Sequence, residues 1–171
     1  METWDALRAR RNVRQFTDQP VPEQALDRIL EAGRRAPSAS NWQPWDFVLV
    51  TDRAQLGELA KVWQGAAHVA AAAAAIAIVA PEPADDRQAA FLHYDLGQAT
   101  YAMTVAAADL GVGTGHAAAA DQDQARQVLG FPEGHFLAYL LSVGYPAGKP
   151  LAVIAKLNRR PFDEVVHRGT W

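Results

Sequence analysis

Cysteine is absent from the 171 residues. Its absence excludes disulfides, thiolate nucleophiles and cysteine-based metal sites, and is compatible with the cytoplasmic location expected here. Long apolar runs are missing too. The most hydrophobic stretch, residues 69–80, is shorter and richer in alanine than the ~20 apolar residues of a membrane span. It reads as a helix end running into a buried strand. Met1-Glu2-Thr3-Trp4-Asp5 has no positive region followed by an apolar run, so no signal peptide is expected. Positive charge is not in excess: 16 Lys and Arg stand against 19 Asp and Glu, a net charge of −3. This argues against a nucleic-acid partner. The five histidines (His68, His93, His116, His135, His167) show no HExxH or other ligand spacing, so no metal site is expected. There is no G-x-S-x-G to support a serine hydrolase.

Half of the residues are hydrophobic, enough for one domain with a sizeable core. No repeat or linker divides residues 1–171, and 147–171 read as a C-terminal extension. Residues 4–11 are expected to form a short amphipathic helix. A second helix opens at Pro22-Glu23-Gln24-Ala25, buries Leu26, Ile29, Leu30 and Gly33 on one face, and is stopped by Pro37. Residues 46–51 read as a strand, followed by a helix capped by Asp52. Ile76-Ala77-Ile78-Val79 suits a strand buried on both faces. Residues 86–110 predict one long helix that is apolar around much of its circumference, hence buried centrally or in a subunit interface. A glycine-rich stop and short strand follow at 111–116, then a helix capped by Asp121, and a strand at 136–145. The tail carries Phe162, Val165, Val166 and Trp171, too much apolar surface to float free, and is expected to wrap onto another surface.

Four segments carry possible chemistry. Arg10, Arg11, Asn12 and Arg14 form a cationic cluster; Arg10 and Arg14, four apart, would share a helical face if the helix continued that far. Guanidinium groups bind phosphate oxygens in bidentate fashion, although by itself the cluster also reads as a solvated basic face. Pro37-Ser38-Ala39-Ser40-Asn41-Trp42-Gln43-Pro44-Trp45 holds hydrogen-bonding groups on a stiff turn beside aromatic surface. That suits the edge of a heteroaromatic ring, and equally a turn feeding a strand. Arg159 and Arg160 are a second cationic point, or an exposed charge pair. Gly111-x-Gly113-x-Gly115 follows a helix rather than a strand and lacks dinucleotide-fingerprint spacing; its glycines would let the backbone pass close to a ring. His116 beside them is the best histidine candidate for a substrate pocket, whereas His68, at a helix–strand transition, reads as structural.

Taken in order, these segments resemble the FMN-dependent nitroreductase family almost end to end. Arg10-Arg11-Asn12-Val13-Arg14-Gln15-Phe16 resembles its opening R-R-S-x-R-x-F. Ala36-Pro37-Ser38-x-x-Asn41-x-Gln43-Pro44-Trp45 matches its A-P-S-x-x-N-x-Q-P-W. Ala107-x-x-Leu110-Gly111-x-Gly113-Thr114, Gly144-Tyr145-Pro146 and Arg160-Pro161-x-x-Glu164-Val165-Val166 resemble later segments. The resemblance implies an α+β fold, with a mixed or antiparallel central sheet flanked by helices, and a homodimer with FMN sites at the interface. The long helix would be the dimer spine and the tail would embrace the partner. It also implies that Arg10, Asn12 and Arg14 hold the phosphate and ribityl end of FMN, joined by Arg159 or Arg160, with Arg11 in the same cluster. Pro37, Ser38, Ala39, Asn41 and Gln43 of the other subunit would lie at the ring. The backbone of Gly113, Thr114, Gly115 and His116 would approach it from the first subunit, and Gln64 falls near a polar flavin contact.

The implied activity is oxidoreduction: NAD(P)H passes a hydride to FMN, which reduces a nitroaromatic, quinone or similar small-molecule electron acceptor in a ping-pong cycle. No dedicated catalytic acid or nucleophile is expected. Asn12 stands where Ser is common, and Ala39 where a second Ser is frequent. These departures keep open a flavin-binding or sequestering protein with little turnover. Specialised flavin chemistry, such as flavin destruction, dehalogenation or azoline oxidation, is the other alternative.

Overall fold

The structure of the protein, a computed structural model, describes residues 1–156 and 158–171; Leu157 of the expected extension lies outside the described residues. Helices α1 (Thr3–Ala9) and α2 (Glu23–Arg34) precede strand β1 (Asp46–Val50). Helix α3 (Arg53–Leu59), strand β2 (Ala74–Pro81) and the 24-residue helix α4 (Asp86–Asp109) follow. Strand β3 (Gly113–Ala118), helix α5 (Gln122–Leu129) and strand β4 (His135–Gly144) complete the compact part. Short 3-10 segments occur at Ala39–Asn41, Gln64–Val69 and Phe162–Glu164. The architecture is α+β, as expected from the resemblance.

The sheet is antiparallel throughout, in the order β1-β2-β4-β3. Because successive side chains point to opposite faces, the unbroken apolar run of β2 serves two cores. Ile76 and Ile78 meet Leu26 and Ile29 of α2 and Leu92, Leu96 and Met103 of α4. Ala75, Ala77 and Val79 meet Leu56, Leu59, Phe131 and Leu140 on the other face. Gly33 allows α2 to lie close on α4: a Cβ there would fall 2.1 Å from Met103 Cε.

Local capping sets the helix starts. The carboxylates of Asp52, Asp85 and Asp121 accept from the backbone N–H of Gln55, Gln88 and Gln124 at 2.9, 2.7 and 2.9 Å, each satisfying an orphan donor of the first turn. Helix α4, of 24 residues, is about 36 Å long. One side of it carries the exposed Phe91, Tyr94 and Tyr101. Among the described residues no helix is long and apolar enough to cross a membrane.

The N-terminus departs from expectation. Helix α1 stops at Ala9, and Arg10 already has extended backbone (φ −57°, ψ 127°). Its buried face consists of the small Ala6 and Ala9, and Trp4 is exposed. Residues 10–14 therefore share no helical face. They run extended, and Asn12 bridges Thr114 of β3 in parallel register.

Candidate functional site

The arginine segment is fixed by its own backbone. The N–H of Val13 donates to the Thr114 carbonyl at 2.8 Å, which sews residues 12–14 to the outer edge of β3. Glycine makes the contact possible. A Cβ at Gly113 would lie 2.7 Å from Val13 Cγ2, and one at Gly115 only 2.4 Å from the Val13 carbonyl oxygen. The space on that side of Gly113 and Gly115 is filled by Val13 of the same chain. What the close approach achieves is to seat Asn12 and Arg14, both exposed, next to Gly113, Thr114, Gly115 and His116.

Each arginine has a different setting. Arg10 is half-buried, with Cζ 5.4 Å from the centroid of the Tyr101 ring on α4. Its Nε is buried without a hydrogen-bond partner. Arg11 turns away and donates to the carbonyls of Lys149 and Pro150, so its side chain holds the start of the C-terminal extension. Arg11, Asn12, Arg14, Gly148 and Lys149 line an open cavity of about 300 Å³. Burial, then the positive charges of Arg10 and Arg14, push the His116 imidazole below its ordinary value.

Behind β3 lies a buried polar chain. Ser142 of β4 donates its hydroxyl proton to the Gly115 carbonyl at 3.1 Å, so it accepts from His68 Nδ1–H at 2.9 Å. The His68 Nε2 atom is buried with no partner. Burial and then Arg14 hold this imidazole below its ordinary value, against an opposite pull from the His116 backbone. The structural role expected for His68 is what the geometry gives it. Gln64 is exposed at the start of the same 3-10 turn.

The proline-bounded turn is the second part. Ser40, Asn41 and Gln43 all have positive φ, 51°, 56° and 53°, a region that non-glycine residues visit at a cost. Ser38 Oγ accepts from the Gln43 N–H at 2.9 Å, and the Gln43 amide donates to the Asn41 carbonyl. The Ala39 N–H donates at 2.9 Å to Asp95 of α4, whose other oxygen accepts from Gln98. Gln98 also reaches the Pro37 carbonyl at 3.5 Å. Asp95, only 1% exposed, was not found by sequence reasoning. A single aspartate within a long alanine-rich helix gives no spacing signal, and its partner is a backbone N–H 56 residues away.

Among the described residues the two parts line different cavities. Ala39 and Ser40 line a separate cavity of about 440 Å³ with Trp42, Arg87 and Phe91. Nor does the structure bring the tail cations to Arg10 and Arg14. Arg160 is occupied by Glu164 at 3.4 Å, and Arg159 donates to the Asn158 carbonyl at 2.7 Å, both in an exposed extension.

This donor set fits an anionic, ring-bearing ligand. Arg10 Nε is a buried donor awaiting an acceptor, Arg14 adds a free cation among the described residues, and the turn displays exposed amides. The model of the nitroreductase family matches residues 7–81 and 60–145. A Methanothermobacter thermautotrophicus protein, provisionally named NADH dehydrogenase/NAD(P)H nitroreductase, is 32% identical over 154 residues, covering 88% of this chain and 80% of that one. The FMN reductase [NAD(P)H] of Bacillus subtilis is 27% identical over 99% of this chain and 74% of its own. A Bacteroides thetaiotaomicron crystal structure, provisionally named like the first relative, superposes with a TM-score of 0.85 at 26% identity, covering 100% of this chain and 99% of that one.

Proposed function

The chain belongs to the nitroreductase family, and on that premise we propose that it is an NAD(P)H-dependent FMN oxidoreductase that reduces nitroaromatics, quinones or similar conjugated electrophiles. When bound, FMN supplies the chemistry: it takes a hydride from NAD(P)H and passes electrons to the acceptor. The protein's part is to bind, orient and set charge. Arg10, Asn12 and Arg14 hold the phosphate and ribityl end. Cationic and N–H groups there favour negative charge on the ring edge nearest them. Pro37, Ser38, Ala39, Asn41 and Gln43 present polar atoms to the ring, and β3 with His116 supports it from behind.

The observation that carries this reading is the pairing of Val13 with Thr114, which fixes a buried, unpartnered guanidinium donor beside the glycine-bearing strand. The separation of the turn from the arginine segment in one chain supports a homodimer, with each site drawing its turn from the partner. The exposed Phe162, Val165 and Trp171 of the tail support the same assembly.

The test is the visible spectrum of the purified protein, before and after anaerobic NADPH or NADH. A flavin spectrum that bleaches supports oxidoreduction, and acceptors are then screened. A flavin spectrum that both nucleotides leave unchanged favours the sequestering alternative. A colourless protein that also ignores added FMN overturns the proposal.

A further inference from the structure

We propose that Asp95 is a positioning residue for the flavin site: its buried carboxylate clamps the Pro37–Gln43 turn to α4 and holds it in the conformation that meets the ring. The inference rests on the reading of the turn as a flavin contact. Asp95 is the one acidic residue among the described residues that is buried. Both of its hydrogen bonds come from neutral groups, the Ala39 N–H at 2.9 Å and the Gln98 amide at 3.3 Å. Among the described residues no cation lies within ion-pair distance of it. Burying a carboxylate without a counter-ion is costly, so its presence calls for a use.

The turn supplies that use. Three of its non-glycine residues sit at positive φ, and such strain persists only where the surroundings over-determine it. Inside the turn, short bonds such as Gln43 N–H to Ser38 Oγ fix its shape. Among the described residues, the hydrogen bonds that tie that shape to the rigid helix are Asp95–Ala39 and the weaker Gln98 contact. A charged acceptor makes this bond about twice as strong as a neutral one. No residue from 38 to 43 belongs to a hydrophobic core cluster. The fold therefore does not depend on the turn, and a clamp on it serves the surface that the turn presents.

The experiment compares the wild type with Asp95→Ala and Asp95→Asn by three readouts. These are thermal melting of the FMN-free protein, hydrogen exchange of the Ala39 amide, and FMN affinity by titration. Asp95→Ala is expected to melt cooperatively near the wild type. Its Ala39 amide should exchange at least about tenfold faster, and its FMN affinity should fall about tenfold or more. Asp95→Asn keeps an oxygen for the Ala39 N–H and is expected to restore most of both. Wild-type exchange and FMN affinity in Asp95→Ala would overturn the clamp. If Asp95→Ala does not fold, Asp95→Asn decides: slower Ala39 exchange than at the neighbouring exposed amides supports the clamp, and exchange as fast as theirs overturns it. A wild type that binds no FMN, with a protected Ala39 amide, would sink the flavin reading and leave the clamp standing.

Discussion

Gly115 shows how one missing atom shapes the site. A methyl group there would meet the Val13 carbonyl at 2.4 Å and Ser142 Oγ at 2.9 Å, and neither backbone nor buried hydroxyl can withdraw far. Gly115→Ala is expected to lose about 1–3 kcal/mol of stability in urea denaturation, the usual cost of overpacking. It should also weaken FMN binding, because residues 12–14 must part from β3. His68 gives a pH signature. Its folded value lies below the ordinary 6.5, so below that pH the unfolded chain takes up a proton that the folded one declines. Stability from this group is complete above about pH 6.5 and is lost as pH falls through the folded value. His116 acts in the same direction. Melting temperature should therefore drop between pH 7 and 5, and His68→Gln should make that drop shallower; an unchanged slope would refute the assignment. Glu31, held at about 2 by Arg34 and then Arg35, responds only below the ordinary carboxylate value and leaves this window clear.

Helix α4 is the element to which both parts of the site are referred. Asp95 faces the proline-bounded turn and Tyr101 underlies Arg10, six residues and about 9 Å of rise apart. Tyr101→Ala is expected to weaken FMN binding a few-fold, matching the ~0.5–1 kcal/mol of an exposed cation–π contact. Tyr101→Phe, which keeps the ring, should bind as the wild type does; equal loss in both variants would mean that the phenol and not the stacking matters. The contrast between these residues explains what was legible in the sequence. Periodicity announced α2, a long apolar stretch announced α4 and an unbroken apolar run the doubly buried β2, because such extended patterns are set by packing. The motif segments announced the turn and the arginines. Asp95, and the Ser142 partner of His68, gave no such signal, since neither stands in a motif and the partner of each is distant in sequence. The end of α1 was misjudged for a related reason: the N–H of Val13 bonds to β3, a tertiary demand that local spacing does not contain.

At the scale of the molecule, the chain leaves apolar surface on two elements that its own core does not use. Phe91, Tyr94 and Tyr101 stand out along α4, and Phe162, Val165 and Trp171 along an extension in which residues 158–171 are all exposed. Single exposed apolar residues are ordinary, but a helix face and a tail together suit a protein partner. If that partner is a second copy, a charge placed on the α4 face must be desolvated without compensation. Tyr94→Glu is expected to raise the dimer dissociation constant at least about tenfold, read by sedimentation, while the core, which lies on the opposite side of α4, keeps its cooperative melt. Removing residues 158–171 should also weaken the dimer, and would delete Arg159 and Arg160 with it. The two variants separate two claims. If the partner supplies the turn of each site, FMN affinity falls in both, and in Tyr94→Glu it recovers as protein concentration is raised. If only the tail cations matter, the truncated chain loses affinity at every concentration and Tyr94→Glu keeps it as a monomer. A monomeric wild type with full FMN affinity would remove the shared site altogether.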